Sequence, residues 1–139
     1  MTILSRSRAV AARREGDGVV VTLSTGEEIH GSHALMAVGA VPNTENLGLV
    51  EAGVKTTPAG FIAVDGVSRT SARGVYAAGD VTGVFALASV AAMQGRIAMW
   101  HSLGDAVEPL DLRTVSSNVF TSPEIATVGV QQADIDSGA

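Results

Sequence analysis

The hydrophobic pattern of the first forty residues predicts an antiparallel meander followed by a buried strand. Residues 19–23 (VVVTL) are β-branched and apolar and lie between turn-forming residues, which is typical of a strand, and residues 28–31 are expected to return beside it. Residues 34–38 (ALMAV) form an unbroken apolar run. A run of this length predicts a strand buried on both faces and ending at Gly39.

The middle of the chain is punctuated by proline and glycine. Residues 41–57 contain Pro42 and two glycines, which predicts an irregular connection between domains. A short strand is expected at residues 61–64, and after a polar bend residues 74–78 (GVYAA) predict a second buried strand that ends in Gly79 and Asp80.

From residue 87 to residue 103 the pattern changes to helical spacing, with small residues in the first half and Gly104 as the expected end. Strands are then predicted at residues 114–120 and 125–130, with a helix beginning near the C-terminal end.

Composition and charge narrow the functional classes. The chain has 139 residues, of which 46% are hydrophobic, and a net charge of -5 without a basic stripe, so neither nucleic acid nor an anionic membrane surface is an expected partner. The absence of cysteine excludes disulfides, thiolate zinc sites and a redox cysteine pair within this chain. Residues 1–14 carry four arginines and weakly resemble a transit peptide, which we set aside.

The strongest chemical candidate is the Gly79-Asp80 pair at the predicted carboxyl end of a strand, followed by a helix start rich in small residues. Open α/β sheets bind ligands at this edge. An aspartate there can accept hydrogen bonds from sugar or polyol hydroxyls, and free N–H groups at a helix start can donate to an electron-rich ligand atom. The alternative is that Asp80 only caps a turn with its side chain.

Three motifs resemble signatures of one family. Thr70, residues 75–80 (VYAAGD) and Leu87-Ala88 are similar to the second FAD-binding motif of the pyridine nucleotide-disulfide oxidoreductases, the class I flavoprotein reductases. Residues 37–43 (AVGAVPN) resemble the segment where the NAD(P) domain of that family returns to the FAD domain. Residues 120–126 (FTSPEIA) with Val128-Gly129 resemble the opening of the family's dimerisation domain.

Within the family, residues 87–99 (LASVAAMQGRIAM) are most similar to the lipoamide-dehydrogenase-like NAD(P)H quinone reductases of actinobacteria. Ala40 stands where lipoamide dehydrogenases commonly have arginine, which favours the quinone-reductase branch. A dihydrolipoamide dehydrogenase and a non-enzymatic truncated product remain the alternatives.

The resemblance implies FAD and NAD(P)H as cofactors and a small-molecule electron acceptor as substrate. Gly79 and Asp80 are expected to bind the ribityl or pyrophosphate part of FAD, while backbone groups of Ala86, Leu87, Ala88 and Ser89 meet the flavin, where the helix start stabilises negative charge. Gly39 is expected near NAD(P)H, and its alternative is a simple turn at a strand end.

The resemblance also implies an α/β fold made of partial Rossmann-like domains: residues 1–38 as the tail of the NAD(P)-binding domain, 39–108 as the returning half of the FAD-binding domain, and 109–139 as the start of an α+β dimerisation domain. The family's glycine-rich dinucleotide fingerprints have no counterpart here. The resemblance also places the family's cysteine pair before this chain and its acid-base His-Glu pair after it, so no catalytic residue is assigned. We expect a cytoplasmic, homodimeric parent protein, and poor stability or aggregation of this chain alone.

The histidines do not predict a metal site. His30 and His33 lie three residues apart without a third ligand, and no metal is expected. His101 is interpreted as a surface residue or a partner of the helix dipole. Tyr76 and Trp100 are interpreted as packing residues.

Overall fold

The computed structural model describes residues 1–138. The chain divides into two compact units, Met1–Ala40 and Val41–Ala139, and each is described by itself.

The first unit is built on a three-stranded antiparallel sheet. Strand β1 (Ala9–Glu15) pairs with β2 (Gly18–Leu23), and β2 pairs with β3 (Glu28–Gly31), in the order β1-β2-β3. The predicted strands at residues 19–23 and 28–31 are therefore confirmed.

Strand β1 is not predicted by the hydrophobic pattern. Its alanines and arginines lack the β-branched character of a strand, and all seven residues are exposed. Pairing with β2 decides its conformation, and Arg13 of β1 donates two hydrogen bonds to the carboxylate of Glu28 on β3, the shorter at 2.8 Å. The arginines that weakly resembled a transit peptide therefore lie partly in a sheet.

The prediction of a buried strand at residues 34–38 is wrong. The segment has no ladder partner among residues 1–138, and Leu35 and Val38 are 92% and 83% exposed. An apolar run becomes a buried strand only when neighbouring strands supply hydrogen bonds and cover its faces. The described part of the chain supplies neither.

The second unit contains two helices and a two-stranded antiparallel sheet. Helix α1 (Ala88–Ser102) is followed by β4 (Ser117–Val119), β5 (Ile125–Thr127) and the short helix α2 (Gln132–Asp136). Strands β4 and β5 pair with each other. Both strands are shorter than predicted, and α2 lies where a helix was expected to begin.

Two strands predicted in this unit do not form. Residues 61–64 contribute one bridge, from Ile62 to Thr56, and residues 74–78 contribute one, from Tyr76 to Arg69. Val75 is 39% exposed rather than buried. Neither segment belongs to a sheet in the described part of the chain.

Helix α1 confirms the predicted helix to within one residue at each end. Val90, Gln94, Ile97 and Ala98 form its buried face, spaced as one side of an α-helix requires. Gly104 follows with a φ of 90°, the left-handed conformation expected just after a helix end. Val54 and Ile62 are the other buried apolar side chains of this unit.

No helix in residues 1–138 is long and apolar enough to cross a membrane.

Candidate functional site

The loop of residues 79–83 (the 79–83 loop) has a conformation that requires glycine at both ends. Gly79 has φ 85° and ψ -160°, and Gly83 has φ 67°. Between them, Asp80–Thr82 makes one 3₁₀ turn, closed by a hydrogen bond from the Gly83 N–H to the Asp80 carbonyl. An L side chain at Gly79 would be strained because only glycine enters that region freely.

A buried hydrogen-bond network fastens the loop to helix α1. The Gly79 N–H donates to Oε1 of Gln94 at 2.7 Å, and Nε2 of Gln94 donates to Oγ1 of Thr82 at 3.3 Å. The Thr82 hydroxyl in turn donates to the Gly79 carbonyl at 2.7 Å. Gln94 and Thr82 are 3% and 6% exposed, so these bonds are shielded from water.

A second contact holds the loop from the side of residues 56–62. The Ile62 N–H donates to the Val81 carbonyl at 2.9 Å. The Phe61 ring lies so close to Gly83 that a Cβ there would be 2.7 Å from Cγ of the ring. The loop is therefore fixed on two sides, and any larger residue at Gly83 would displace Phe61.

The Asp80 side chain is exposed and forms no hydrogen bond or ion pair with residues 1–138. The turn that it opens is closed instead by backbone groups and by the hydroxyl of Thr82. The alternative prediction, that Asp80 caps this turn with its carboxylate, is therefore wrong. Both carboxylate oxygens remain available as acceptors.

Helix α1 begins without a side-chain cap. Leu87 occupies the capping position, and the first intrahelical bond runs from the Ala91 N–H to the Leu87 carbonyl at 3.0 Å. The N–H groups of residues 88–90 find no acceptor in the described part of the chain, as is usual for the first turn of a helix. They leave a set of free donors with partial positive charge.

The predicted residues of the helix start lie at this surface. Ala86, Ala88 and Ser89 are exposed, and Leu87 is half-buried. A Cβ on Gly79 would lie 3.3 Å from Cβ of Ala91, so the 79–83 loop packs against the first turn of α1. The structure thus brings Gly79 and Asp80 together with residues 86–89.

Gly39 belongs to the first unit and is exposed, with φ 104°, and a Cβ there would meet no atom within 4 Å. Its alternative interpretation as a strand-ending turn fails because no strand precedes it directly in the described part of the chain. The positive φ explains why glycine is favoured there.

Two residues of the site, Gln94 and Thr82, were missed as functional candidates. The available signal was Gln94 itself, a polar residue one turn from Val90 on an otherwise apolar helix face. Thr82 carried no signal, because its role depends on the path of the loop.

The histidines make other contacts. Nδ1 of His30 lies 3.6 Å from the Glu15 carboxylate, and residues 1–138 contain no group of three potential metal ligands. His101 is more than a surface residue, since its Nδ1 is 2.7 Å from the Tyr76 hydroxyl with the two rings tilted 58°. This pair ties the end of α1 to residues 69–76.

Comparison with known proteins decides the family. The model of the family described as pyridine nucleotide-disulphide oxidoreductase matches residues 1–95, more than half of the chain. The chain belongs to this family. The match includes the 79–83 loop and the start of α1.

Curated relatives share this membership. The chain is 55% identical over 137 residues to the NAD(P)H dehydrogenase (quinone) of Mycobacterium tuberculosis, covering 99% of this chain and 28% of that protein. It is 40% identical over 129 residues to the dihydrolipoyl dehydrogenase of Haloferax volcanii, covering 89% of this chain and 27% of that protein. The chain therefore spans less than a third of the length of these family members.

Solved structures of the family agree with the fold. The crystal structure of LpdA from Mycobacterium tuberculosis matches with a TM-score of 0.90 at 57% identity, over 95% of this chain and 29% of that one. An HOCl-induced flavoprotein disulfide reductase from Escherichia coli matches with a TM-score of 0.82 at 25% identity, over 94% of this chain and 30% of that one.

Proposed function

We propose that this chain forms part of an FAD-dependent NAD(P)H oxidoreductase that passes hydride from NAD(P)H to flavin and electrons on to a quinone-like acceptor. The observation that carries the proposal is the braced 79–83 loop, which presents an unpaired Asp80 beside an uncapped helix start. Family membership and the 55% identity to an NAD(P)H dehydrogenase (quinone) support it.

The donor and acceptor chemistry of the site fits FAD. Asp80 offers two acceptor oxygens for ribityl or ribose hydroxyls, and the first turn of α1 offers N–H donors for an electron-rich ring edge. Exposed small side chains at Ala86, Ala88 and Ser89 leave room for a flat ring to approach the backbone. Bound FAD would supply the two-electron acceptor that NAD(P)H requires.

The residues of the site have separate tasks in this proposal. Asp80 binds and orients through hydrogen bonds, while the N–H groups of Ala88 and Ser89 stabilise negative charge that develops on the ring. Separately, in the first unit, we propose that Gly39 lies near NAD(P)H, where the absence of a side chain allows close approach. We assign no proton transfer to these residues.

The wider proposal follows the family relatives. We propose a cytoplasmic, homodimeric protein in which residues 1–38, 39–108 and 109–139 belong to the NAD(P)-binding, FAD-binding and dimerisation domains. A dihydrolipoyl dehydrogenase is the second candidate, supported by 40% identity to the Haloferax volcanii enzyme. Two observations favour the first candidate: Ala40 stands where lipoamide dehydrogenases commonly have arginine, and the identity to the quinone reductase is higher.

The test is a chimera, because the chain covers 28% of its Mycobacterium tuberculosis relative. The matched segment of that protein is replaced by this chain, and bound FAD is measured by absorbance after gel filtration. We expect stoichiometric flavin, and an Asp80→Asn substitution should raise the dissociation constant for FAD about tenfold, the loss of one charge-assisted hydrogen bond.

Asp105→Asn is the matched control, since Asp105 is exposed and lies after helix α1. A folded chimera without flavin, or equal FAD affinity in the Asp80 and Asp105 variants, would overturn the proposed flavin site. The chimera does not separate the two candidates, because most of it is the Mycobacterium tuberculosis protein. Activity of the whole proposed oxidoreductase with a quinone but not with lipoamide would favour the first candidate.

A further inference from the structure

Gln94 is a polar residue in a position where the fold favours an apolar one. The other buried residues of helix α1 are Val90, Ile97 and Ala98, and Gln94 is only 3% exposed. Burying an amide is unfavourable unless its hydrogen bonds are satisfied. Both ends of the Gln94 amide are satisfied, and both by the 79–83 loop.

The two bonds of Gln94 bracket Asp80 in the chain. Its Oε1 accepts from the N–H of Gly79, the residue before Asp80, and its Nε2 donates to Thr82, two residues after. The Thr82 hydroxyl donates to the Gly79 carbonyl at 2.7 Å, so the three residues are joined by a closed ring of hydrogen bonds. One side chain of helix α1 therefore holds the Gly79 backbone before Asp80 and the Thr82 side chain after it.

The hydrogen bonds of Gln94 also set the distance between Asp80 and the start of helix α1. Gln94 lies on the same rigid helix as Ala88 and Ser89, so the bonds that hold the loop hold Asp80 at a fixed position relative to the free N–H groups of that helix. A ligand that uses both the carboxylate and the helix start needs this spacing before it binds. The Ile62 bond to Val81 fixes the loop to residues 56–62 but does not fix it to α1.

We propose that Gln94 is a positioning residue of the flavin site, which sets Asp80 at binding distance from the helix start by holding Gly79 and Thr82. The inference rests on the proposed flavin function and adds a residue that does not itself touch the ligand. It predicts that loss of the Gln94 bonds weakens FAD binding without removing any group that contacts FAD.

The first measurement needs no flavin. In the flavin-free chimera, Gln94→Met keeps the length of the side chain and removes both hydrogen bonds. We expect amide hydrogen exchange at Gly79 to become at least about tenfold faster, since its N–H loses a buried acceptor. Ile97→Val, a buried change on the same helix without a bond to the loop, should leave that rate unchanged.

The second measurement uses the chimera. Gln94→Met should raise the dissociation constant for FAD about tenfold, while Ile97→Val should not. Gln94→Glu tests whether the two bonds can be restored. At about pH 5 a buried, neutral carboxylic acid accepts from the Gly79 N–H and donates to Thr82, as the amide does. The FAD affinity of this variant should then be close to that of the unsubstituted chimera at the same pH. At about pH 8 the ionised side chain has no donor, and the affinity should fall again.

The outcomes separate the two proposals. If Asp80→Asn weakens FAD binding and Gln94→Met does not, the positioning role is overturned and the flavin site stands. If neither substitution alters FAD binding, both are overturned. Unchanged exchange at Gly79 in Gln94→Met also overturns the positioning role, whatever the flavin result.

Discussion

At the scale of single residues, Asp65 shows how one carboxylate organises a turn. Its Oδ1 accepts from the N–H groups of Val67 and Arg69 at 3.0 and 2.9 Å, and its Oδ2 accepts from the Arg69 guanidinium at 2.7 Å. Partial burial alone would raise the pKa of Asp65, but the hydrogen bonds and charge of Arg69, with the hydrogen bond from Val67, outweigh it and hold the pKa below the usual 3.8.

The sign of the pH dependence follows from this shift. A carboxylate whose folded-state pKa is lowered contributes stability above its ordinary value of 3.8, and that contribution is lost as the pH falls through the folded-state value. We predict that Asp65→Asn, which keeps an acceptor for the two N–H groups, lowers stability at neutral pH and reduces the loss of stability on acidification.

Urea unfolding of the dilute chain, at concentrations below those at which it self-associates, followed by circular dichroism at a series of pH values, measures this effect. Asp105→Asn is the control, because the Asp105 side chain forms no hydrogen bond with residues 1–138. The same acid dependence in Asp65→Asn as in the parent chain would show that the turn does not depend on the ionised carboxylate.

At the scale of elements, helix α1 contains one glycine in helical conformation and is followed by another in the left-handed conformation. Gly95 lies in the helix interior, and a Cβ there would meet nothing within 4 Å. Gly104 follows the helix with φ 90°, and although a Cβ there would also meet nothing, its backbone conformation disfavours any L side chain. A Cβ has free space at both positions, so only the backbone conformation decides whether alanine is tolerated.

The two glycines therefore give a paired prediction. Gly95→Ala should stabilise the chain by about 0.5–1 kcal/mol because alanine loses less backbone entropy in a helix. Gly104→Ala should destabilise it by about 1 kcal/mol because alanine must adopt the left-handed conformation. The free energies of urea unfolding of the two variants test this, and shifts of the same sign would contradict the assignment of the helix end.

At the scale of the whole molecule, apolar exposure is the dominant feature of the first unit. Leu35, Met36 and Val38 are 92%, 76% and 83% exposed, and they line an open groove of about 1220 Å³ together with β1 and β2. Apolar patches of this kind promote association in water. They agree with the expectation that the chain alone is prone to aggregate.

We predict that the 139-residue chain self-associates and that the triple substitution Leu35→Gln, Met36→Gln and Val38→Thr reduces this association. Sedimentation velocity at several concentrations measures it. Val50→Thr, at an 84% exposed position in the second unit, is the control and should behave as the parent chain does. A parent chain that sediments as a monomer at all concentrations would contradict the prediction.

Local sequence determined those elements whose hydrogen bonds are local. Strands β2 and β3 are joined by a short turn, and helix α1 satisfies its own backbone and ends at a glycine that suits the left-handed conformation, so all three were predicted. Asp80 and residues 86–89 were proposed as site residues because their order along the chain resembles a family motif.

Only the tertiary structure decided the remaining features. Residues 34–38 and 74–78 have the apolar pattern of buried strands, but a strand needs partners distant in sequence, and residues 1–138 provide no ladder for either. Strand β1 is an exception among the local elements: it is joined to β2 by the two residues 16–17, but its alanines and arginines carry no strand pattern, so the sequence did not predict it. The bonds from Gln94 to Gly79 and Thr82 join residues 15 and 12 positions apart, so they exist only once helix α1 has packed against the loop.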